Sequence, residues 1–350
     1  MALSRMRRVA AVAAVAALSL SACSTGSTGE TGGGGGSTAS ADQFPVTIEH
    51  AFGETTIESV PERVATVSWV NADTALALGV VPVGMPVIEY GGNENGTTPW
   101  IDDALAELDA SIGSENAPAQ YSETDGIAFD DIAATNPDVI LAAYSGLTQE
   151  DYDKLSGIAP VVAYPEAAFG TSWQDSAAMI GEALGKSDEA QELITSTEKA
   201  VADKAAEYPQ LAGKSFIYGN LDPAGAEPIY VYTAGDNRPR FLTELGMKQA
   251  AVVDENTKDD AFYITWSAER ANELESDVFV TWVADDAAKD AIAGDALLGQ
   301  IPAVQSGGLL ADSDNTLTLS ISAASALSIP YALDNFVPLL ADAASAADAS

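Results

Sequence analysis

Residues 172–208 read SWQDSAAMIGEALGKSDEAQELITSTEKAVADKAAEY and contain no proline. Alanine, glutamate, lysine, glutamine and leucine dominate this stretch, and all five are good helix formers. Its weak points are Gly181 and Gly185, and the second, followed by Ser187–Asp188, is typical of a helix end and a new N-cap. The stretch therefore predicts one long helix, or two in tandem, which Pro209 ends.

On both sides of this segment, short apolar runs alternate with helical patterns. Before it, Arg63–Trp69, Val80–Val87 and Val139–Tyr144 each predict a strand, the second interrupted by prolines. After it, a second series begins at Ser215–Tyr218. Alternation of strands and helices is typical of α/β domains with mainly parallel sheets, which is the fold class that we predict.

The first helix of the series follows the strand that ends at Trp69. Asn71 or Asp73 is placed to cap a helix through Ala75–Leu78, and Gly79 ends it. Both side chains carry the acceptor oxygen that an N-cap needs.

The second series repeats the first with an offset of 139 residues. Asp130 corresponds to Glu269, and Asp138, which follows Pro137, corresponds to Asp277. Two similar lobes joined by a helical segment imply a cleft between them, and such clefts are preferred ligand sites. The predicted segments are a signal peptide (1–22), a lipidated Cys with a flexible tether (23–43), an N-terminal α/β lobe (44–170), a linking helix (171–209) and a C-terminal α/β lobe (210–350).

The start of the chain has the pattern of an export signal. Three arginines precede an apolar run over Val9–Leu20, which is shorter than the roughly 20 residues that a membrane-spanning helix needs. The run ends in Leu20-Ser21-Ala22-Cys23, which resembles the lipobox of bacterial lipoproteins. This resemblance implies lipidation of Cys23 and a protein anchored on the extracytoplasmic face of the cell membrane. The Gly- and Ser-rich residues 24–41 predict a flexible tether.

Charge and composition exclude several classes of function. Loss of residues 1–22 removes three arginines and no acid, which takes the formal net charge from −37 to about −40. Such a chain is repelled by nucleic acid and by anionic lipid. With one Cys and one His, His50, neither a Cys nucleophile nor a His-based catalytic triad can be assembled, and a zinc or manganese receptor is disfavoured. The sequence also has neither a Gly-x-Ser-x-Gly elbow nor a phosphate-binding loop, so we expect no enzyme.

Three stretches together resemble the iron–siderophore substrate-binding proteins of ABC importers. They are Arg63–Gly84, Pro137–Thr148 and Tyr152–Tyr164, and the resemblance extends from Phe44 to about Leu340. It implies two lobes bridged by a rigid helix, a ligand between them, and as partners a membrane permease with its cytoplasmic ATPase.

In similar proteins an acidic residue on each lobe docks to basic residues of the permease. The matching positions are Asp130 and Glu269, and Asp130 departs from the glutamate that is more frequent there. We expect a monomer.

A ferric siderophore already saturates its iron, so its receptor needs aromatic walls and a few cations, and neither a cofactor nor a protein metal ligand is expected. Arginine suits this role because its planar guanidinium donates several hydrogen bonds and stacks on rings. Cobalamin and haem remain alternative cargoes, and the sequence does not distinguish hydroxamate from catecholate siderophores. The candidate ligand-binding residues are Trp69, Tyr90, Tyr144, Tyr232, Arg238, Arg240, Trp266 and Trp282.

Overall fold

The computed structural model describes residues 44–223, 228–258 and 261–348, so the predicted signal peptide, Cys23 and the whole predicted tether lie outside the described residues. The strands are β1 Val46–His50, β2 Gly53–Ile57, β3 Val64–Thr66, β4 Gly84–Pro86, β5 Ala119–Tyr121, β6 Val139–Ala142, β7 Val161–Ala163, β8 Ser215–Asn220, β9 Ile229–Tyr232, β10 Lys248–Gln249, β11 Tyr263–Trp266, β12 Val278–Trp282 and β13 Leu309–Asp312. The helices are α1 Asn71–Ala77, α2 Pro99–Glu107, α3 Phe129–Ala134, α4 Gln149–Ser156, α5 Trp173–Ala183, α6 Ser187–Glu207, α7 Asn237–Glu244, α8 Ala251–Asn256, α9 Asp286–Gly294, α10 Pro302–Gln305, α11 Asn315–Ser322 and α12 Ser328–Asp348. Short 3-10 helices span Pro209–Leu211, Ala268–Glu273 and Leu298–Gln300.

The first sheet has five parallel strands in the order β5-β4-β3-β6-β7. Four of them, β3, β4, β6 and β7, are buried along their whole length, as expected for a parallel sheet covered on both faces. The strands are shorter than their apolar runs suggested: β3 ends at Thr66, and only residues 84–86 of the second run pair.

The second sheet has the order β11-β9-β8-β12-β13, with β10 also paired to β8. Strands β8, β10, β12 and β13 are parallel, whereas β9 and β11 are antiparallel to their neighbours. The predicted α/β class with two mainly parallel sheets is therefore confirmed.

The repeat seen in the sequence corresponds to a repeated contact. The carboxylate of Asp138, before β6, accepts hydrogen bonds from the backbone N–H groups of Glu62 and Arg63, at 2.8 and 3.0 Å. The carboxylate of Asp277, before β12, accepts one from the N–H of Ser215 at 2.7 Å. In each lobe an aspartate thus accepts a hydrogen bond from a backbone N–H group at the start of the neighbouring parallel strand.

The segment between the lobes forms two helices that fold back on each other, not one continuous rod. Helix α5 ends at Ala183 and α6 begins at Ser187, and Gly185 has a φ of 66° in the turn. The pairs Gly181–Ala190 and Gln174–Glu198 are in contact, so the helices are antiparallel. The start of α6 packs in the core of the first lobe and its later turns in the core of the second. Of the two predicted alternatives, one long helix or two in tandem, the structure therefore has two helices. The sequence did not indicate that the chain reverses direction between them.

Gly181 is required by this close approach, and Gly181→Val should lower the free energy of unfolding by about 1–3 kcal/mol. A Cβ at this position lies 2.3 Å from the Cβ of Ala190, which has no torsion by which to move aside. Urea unfolding followed by circular dichroism measures the loss. Gly294→Ala in α9 is the control, because a Cβ there meets nothing within 4 Å and stability should be unchanged or slightly higher. Equal stability of Gly181→Val and the unaltered protein would contradict the packing argument.

Neither Asn71 nor Asp73 caps helix α1, contrary to the prediction. The residue at the cap position is Val70, which makes no side-chain cap hydrogen bond. Asn71 and Asp73 are buried, and their polar atoms bond to distant parts of the chain instead. Across the residues described, no helix combines the length and the apolar character needed to cross a membrane.

Candidate functional site

A strained turn after β3 presents the first aromatic residue of the site. Ser68 and Val70 have φ values of 61° and 58°, a conformation that is unfavourable for a β-branched residue such as valine. The side-chain amide of Asn71 holds the turn by donating to the carbonyl oxygens of Val67 and Tyr144, at 2.7 and 2.9 Å. The indole of Trp69 is consequently left 42% exposed.

Two further rings continue this wall of the first lobe. The ring of Phe169, in the loop after β7, lies 6.3 Å from that of Trp69 and 5.8 Å from that of Tyr144. Tyr144 is buried, and its hydroxyl donates to the carbonyl oxygen of Ser322 in the second lobe at 3.3 Å. Tyr144 therefore lies behind the exposed wall, at the contact between the lobes. Phe169 was not among the residues predicted from the sequence, although it also follows a strand of the parallel sheet.

The wall contributed by the second lobe is built around Arg238. Its guanidinium carbon lies 3.4 Å from the ring centre of Tyr232 and 5.6 Å from that of Tyr218. Asp236 accepts two hydrogen bonds from the guanidinium, at 2.8 and 2.5 Å. Burial lowers the pKa of Arg238, but the hydrogen bonds and charge of Asp236 outweigh it and raise the pKa above its ordinary value. A rigid, permanently charged guanidinium, neutralised by one carboxylate, thus lies between aromatic rings.

Tyr90 and Trp282 connect the two walls. Their ring centres are 6.4 Å apart in an edge-to-face arrangement, with Tyr90 after β4 and Trp282 at the end of β12. Burial, followed by the charge of Asp312 in the second lobe, raises the pKa of Tyr90. The indole N–H of Trp282 donates to Asn315 at 2.8 Å.

Six of the eight predicted ligand residues thus belong to these two walls or to the contact between them. These six are Trp69, Tyr90, Tyr144, Tyr232, Arg238 and Trp282. Their assignment as ligand contacts remains a prediction.

Arg240 serves as a contact between the lobes. Its guanidinium donates to the carbonyl oxygens of Ala234 and of Gly170, at 2.9 and 2.8 Å, and Gly170 belongs to the first lobe. It also lines a cavity of about 1040 Å³ between the lobes. A second cavity, of about 750 Å³, lies against Trp282 within the second lobe. Both volumes fall in the range of small-molecule sites. Of the six clustered residues, only Trp282 lines either of these two cavities.

Trp266 does not join the other aromatic residues. It is 4% exposed and packs in the core of the second lobe with Ile229 and Val253. Its indole N–H donates to the carbonyl oxygen of Arg270 at 2.9 Å, and that arginine covers the ring at 4.4 Å. The structure assigns this residue to packing, and we leave it out of the candidate site.

The two acids predicted to dock to a permease are both exposed. Asp130 lies in the first turn of α3, directly ahead of β6, and Glu269 in the 3-10 helix ahead of β12. Strand β6 lies between β3 and β7 in the first sheet, and β12 lies between β8 and β13 in the second. The two acids, each ahead of one of these central strands, therefore occupy equivalent places in the two lobes. Their docking role remains a prediction.

Three buried or half-buried acids near the cleft were not predicted. Besides Asp236, Asp312 ends β13 beside Trp282, and burial raises its pKa. Glu123 lies in the loop after β5, and burial raises its pKa to about 7. Among 52 acidic residues, only the fold distinguishes these from the solvated majority. Within the described ranges there is no group of three or more His, Cys, Asp or Glu residues arranged to hold a metal ion.

Comparison with known proteins identifies the family. The model of the periplasmic binding protein family matches residues 64–315, and the chain belongs to this family. The crystal structure of Streptococcus pneumoniae TIGR4 PiaA in complex with ferrichrome is similar, with a TM-score of 0.80 and 37% identity over 86% of this chain and 99% of that one. A periplasmic solute-binding protein from Mycobacterium smegmatis gives a TM-score of 0.70 and 32% identity over 85% and 98%. The probable siderophore-binding lipoprotein YfiY of Bacillus subtilis is 29% identical over 69% of this chain and 70% of its own length.

Proposed function

We propose that this protein is an extracytoplasmic receptor that captures a ferric siderophore and delivers it to the permease of an ABC importer. The observation that carries the proposal is the ring cluster in which Arg238 is stacked on Tyr232 of the second lobe and Tyr90 of the first lobe contacts Trp282 of the second. Aromatic faces contact the organic arms of the complex, and the guanidinium donates to the oxygens around the iron. The iron is cargo, and the site supplies binding without a catalytic step.

The charge of the cleft favours a ferric hydroxamate among the siderophores. Arg238 is already neutralised by Asp236, and Arg240 is bonded to two carbonyl oxygens, while Asp312 adds a further acid. A strongly anionic ferric catecholate would meet carboxylates without a matching excess of cations. The similar protein PiaA was crystallised with ferrichrome, which is an uncharged ferric hydroxamate.

The arrangement of the lobes supports delivery of the bound siderophore to the permease. Tyr90 and Trp282 form a contact between the two lobes, and an entering ligand would replace that contact with its own. Helix α6 packs in both cores, which keeps the movement of the lobes small. Asp130 and Glu269 would then dock to basic residues of the permease, and a lipid on Cys23 would keep the receptor at the membrane.

Intrinsic tryptophan fluorescence tests the proposal. The purified protein is titrated with a ferric hydroxamate (ferrichrome), a ferric catecholate (ferric enterobactin), cobalamin and haem. We expect saturable quenching by the hydroxamate at submicromolar concentration, because Trp69 and Trp282 lie in the cleft. Saturable quenching by cobalamin or haem alone would mean that this compound, and not a ferric siderophore, is the cargo. No saturable response to any of the four ligands would overturn the proposed function.

A further inference from the structure

Glu123 carries a carboxylate oxygen that lacks a partner. One oxygen accepts a hydrogen bond from the backbone N–H of Ser68 at 2.9 Å, whereas Oε1 is buried and has no hydrogen-bond partner among the described residues. Burial raises the pKa of this carboxyl to about 7, against the effect of the Ser68 hydrogen bond. An unsatisfied buried acceptor is costly and therefore calls for an explanation.

The same side chain lines a small cavity beside the cleft. This cavity has a volume of about 340 Å³, and Trp69 and Phe169 form its aromatic wall, with Leu147 as a further apolar surface. Asp151 contributes a second carboxylate, which also accepts hydrogen bonds from Thr148 in the cap of α4. None of the described residues that line the cavity is basic. Since Trp69 and Phe169 also form the wall of the cleft, the cavity adjoins the space assigned to the siderophore.

An alkylammonium group matches this combination of surfaces. Its N–H groups donate charge-assisted hydrogen bonds to a carboxylate, and its charge is attracted to the faces of tryptophan and phenylalanine. An anionic arm would be repelled by Glu123 and Asp151, and a neutral apolar arm would leave the Glu123 oxygen unpaired.

We propose that the cavity between Glu123, Trp69 and Phe169 is a subsite for a positively charged amine carried by the bound ferric siderophore. The subsite rests on the proposed function, because it positions the amine only while the ferric hydroxamate occupies the cleft. The receptor accordingly prefers ferric hydroxamates that bear a free amine over otherwise identical complexes that do not.

A matched pair of ligands tests the subsite. Ferrioxamine B is a ferric hydroxamate with one pendant primary amine, and its N-acetylated derivative keeps the iron centre but loses the charge. Fluorescence titration at pH 8, above the pKa of Glu123, should give about tenfold tighter binding of the amine form, as expected for a charge-assisted hydrogen bond.

Two variants test whether Glu123 causes the preference for the ligand that bears the amine. Glu123→Gln keeps the acceptor for Ser68 and should reduce the ratio of the two affinities to between one and two, with little change for the acetylated form. Asp125→Asn removes the same charge from the same exposed loop, outside the cavity, and should leave the ratio unchanged. Thermal unfolding of both variants verifies that they are folded.

The outcomes distinguish the two proposals. Equal binding of the two ligands to the unaltered protein, or a tenfold preference that persists in Glu123→Gln, would overturn the subsite and leave the receptor function standing. Failure of both ligands and of ferrichrome to bind would overturn the assignment of a ferric hydroxamate and the subsite with it, and failure of ferric enterobactin, cobalamin and haem as well would overturn the receptor function.

Discussion

Arg238→Ala should weaken the binding of a ferric hydroxamate by about 100-fold, which corresponds to roughly 3 kcal/mol. The substitution removes the only stacked guanidinium described in the cleft, and with it the hydrogen bonds that we propose to the iron-bound oxygens. The guanidinium is held in place by Asp236 and Tyr232 before any ligand arrives, so little side-chain entropy is lost on binding. Tryptophan fluorescence titration with ferrichrome measures the change.

A loss of binding could also reflect a loss of folding, because Arg238→Ala leaves the buried Asp236 without its partner. Asp236→Asn combined with Arg238→Ala removes both charges and separates the two effects. The double variant should recover much of the stability and still bind poorly.

Arg270→Ala is the matched control, since Arg270 also covers a tryptophan and pairs with a glutamate but is exposed. It should change neither binding nor, by more than about 1 kcal/mol, stability. Unchanged ferrichrome affinity in Arg238→Ala would contradict the assigned role.

Asp73→Ala should reduce the free energy of unfolding by about 2–4 kcal/mol at pH 5. Asp73 is buried in α1 of the first lobe, and its carboxyl accepts hydrogen bonds from the indole N–H of Trp100 at 2.8 Å and from the hydroxyl of Ser325 in the second lobe at 2.7 Å. Alanine leaves both donors buried without an acceptor and removes a direct bond between the lobes. Urea unfolding measures the loss.

The cost of this substitution should fall by roughly 1–2 kcal/mol when the pH rises from 5 to 7.5. Burial raises the pKa of Asp73 to about 6, from the 3.8 of an exposed aspartate. The folded protein therefore holds a proton between these values that the unfolded chain has lost. The stabilisation associated with that proton is fully present below pH 3.8 and disappears as the pH rises through 6.

Comparison of the unaltered protein with Asp73→Ala at each pH cancels the other titrating groups. Asp103→Ala, an exposed acid of α2 close in sequence to Trp100, serves as the control and should cost less than about 0.5 kcal/mol at either pH. If the difference in free energy of unfolding between Asp73→Ala and the unaltered protein increased with pH, the raised pKa assigned to Asp73 would be contradicted.

Much of the site was predictable because parallel α/β sheets place functional residues at the carboxyl ends of their strands. That rule singles out Trp69 after β3 and Tyr144 after β6. Trp266 was a candidate as an aromatic residue of the second lobe, yet it ends β11, the outermost strand of its sheet, and its ring packs into the core there. Strand-end position is a local property, whereas the direction in which a ring points depends on the neighbouring strands.

The sequence by itself determined the alternation of strands and helices, the repeat of the two lobes and the chemistry available for binding, because periodicity, helix propensity and residue type are local properties. Only the tertiary structure decided that α5 and α6 fold back on each other at Gly185, since that reversal depends on the contact of Gly181 with Ala190. It also decided that Asp73 bonds to Ser325, 252 positions away, and does not cap its own helix. Contacts between residues so far apart are formed by the packing of the two lobes, and no short stretch of sequence contains them.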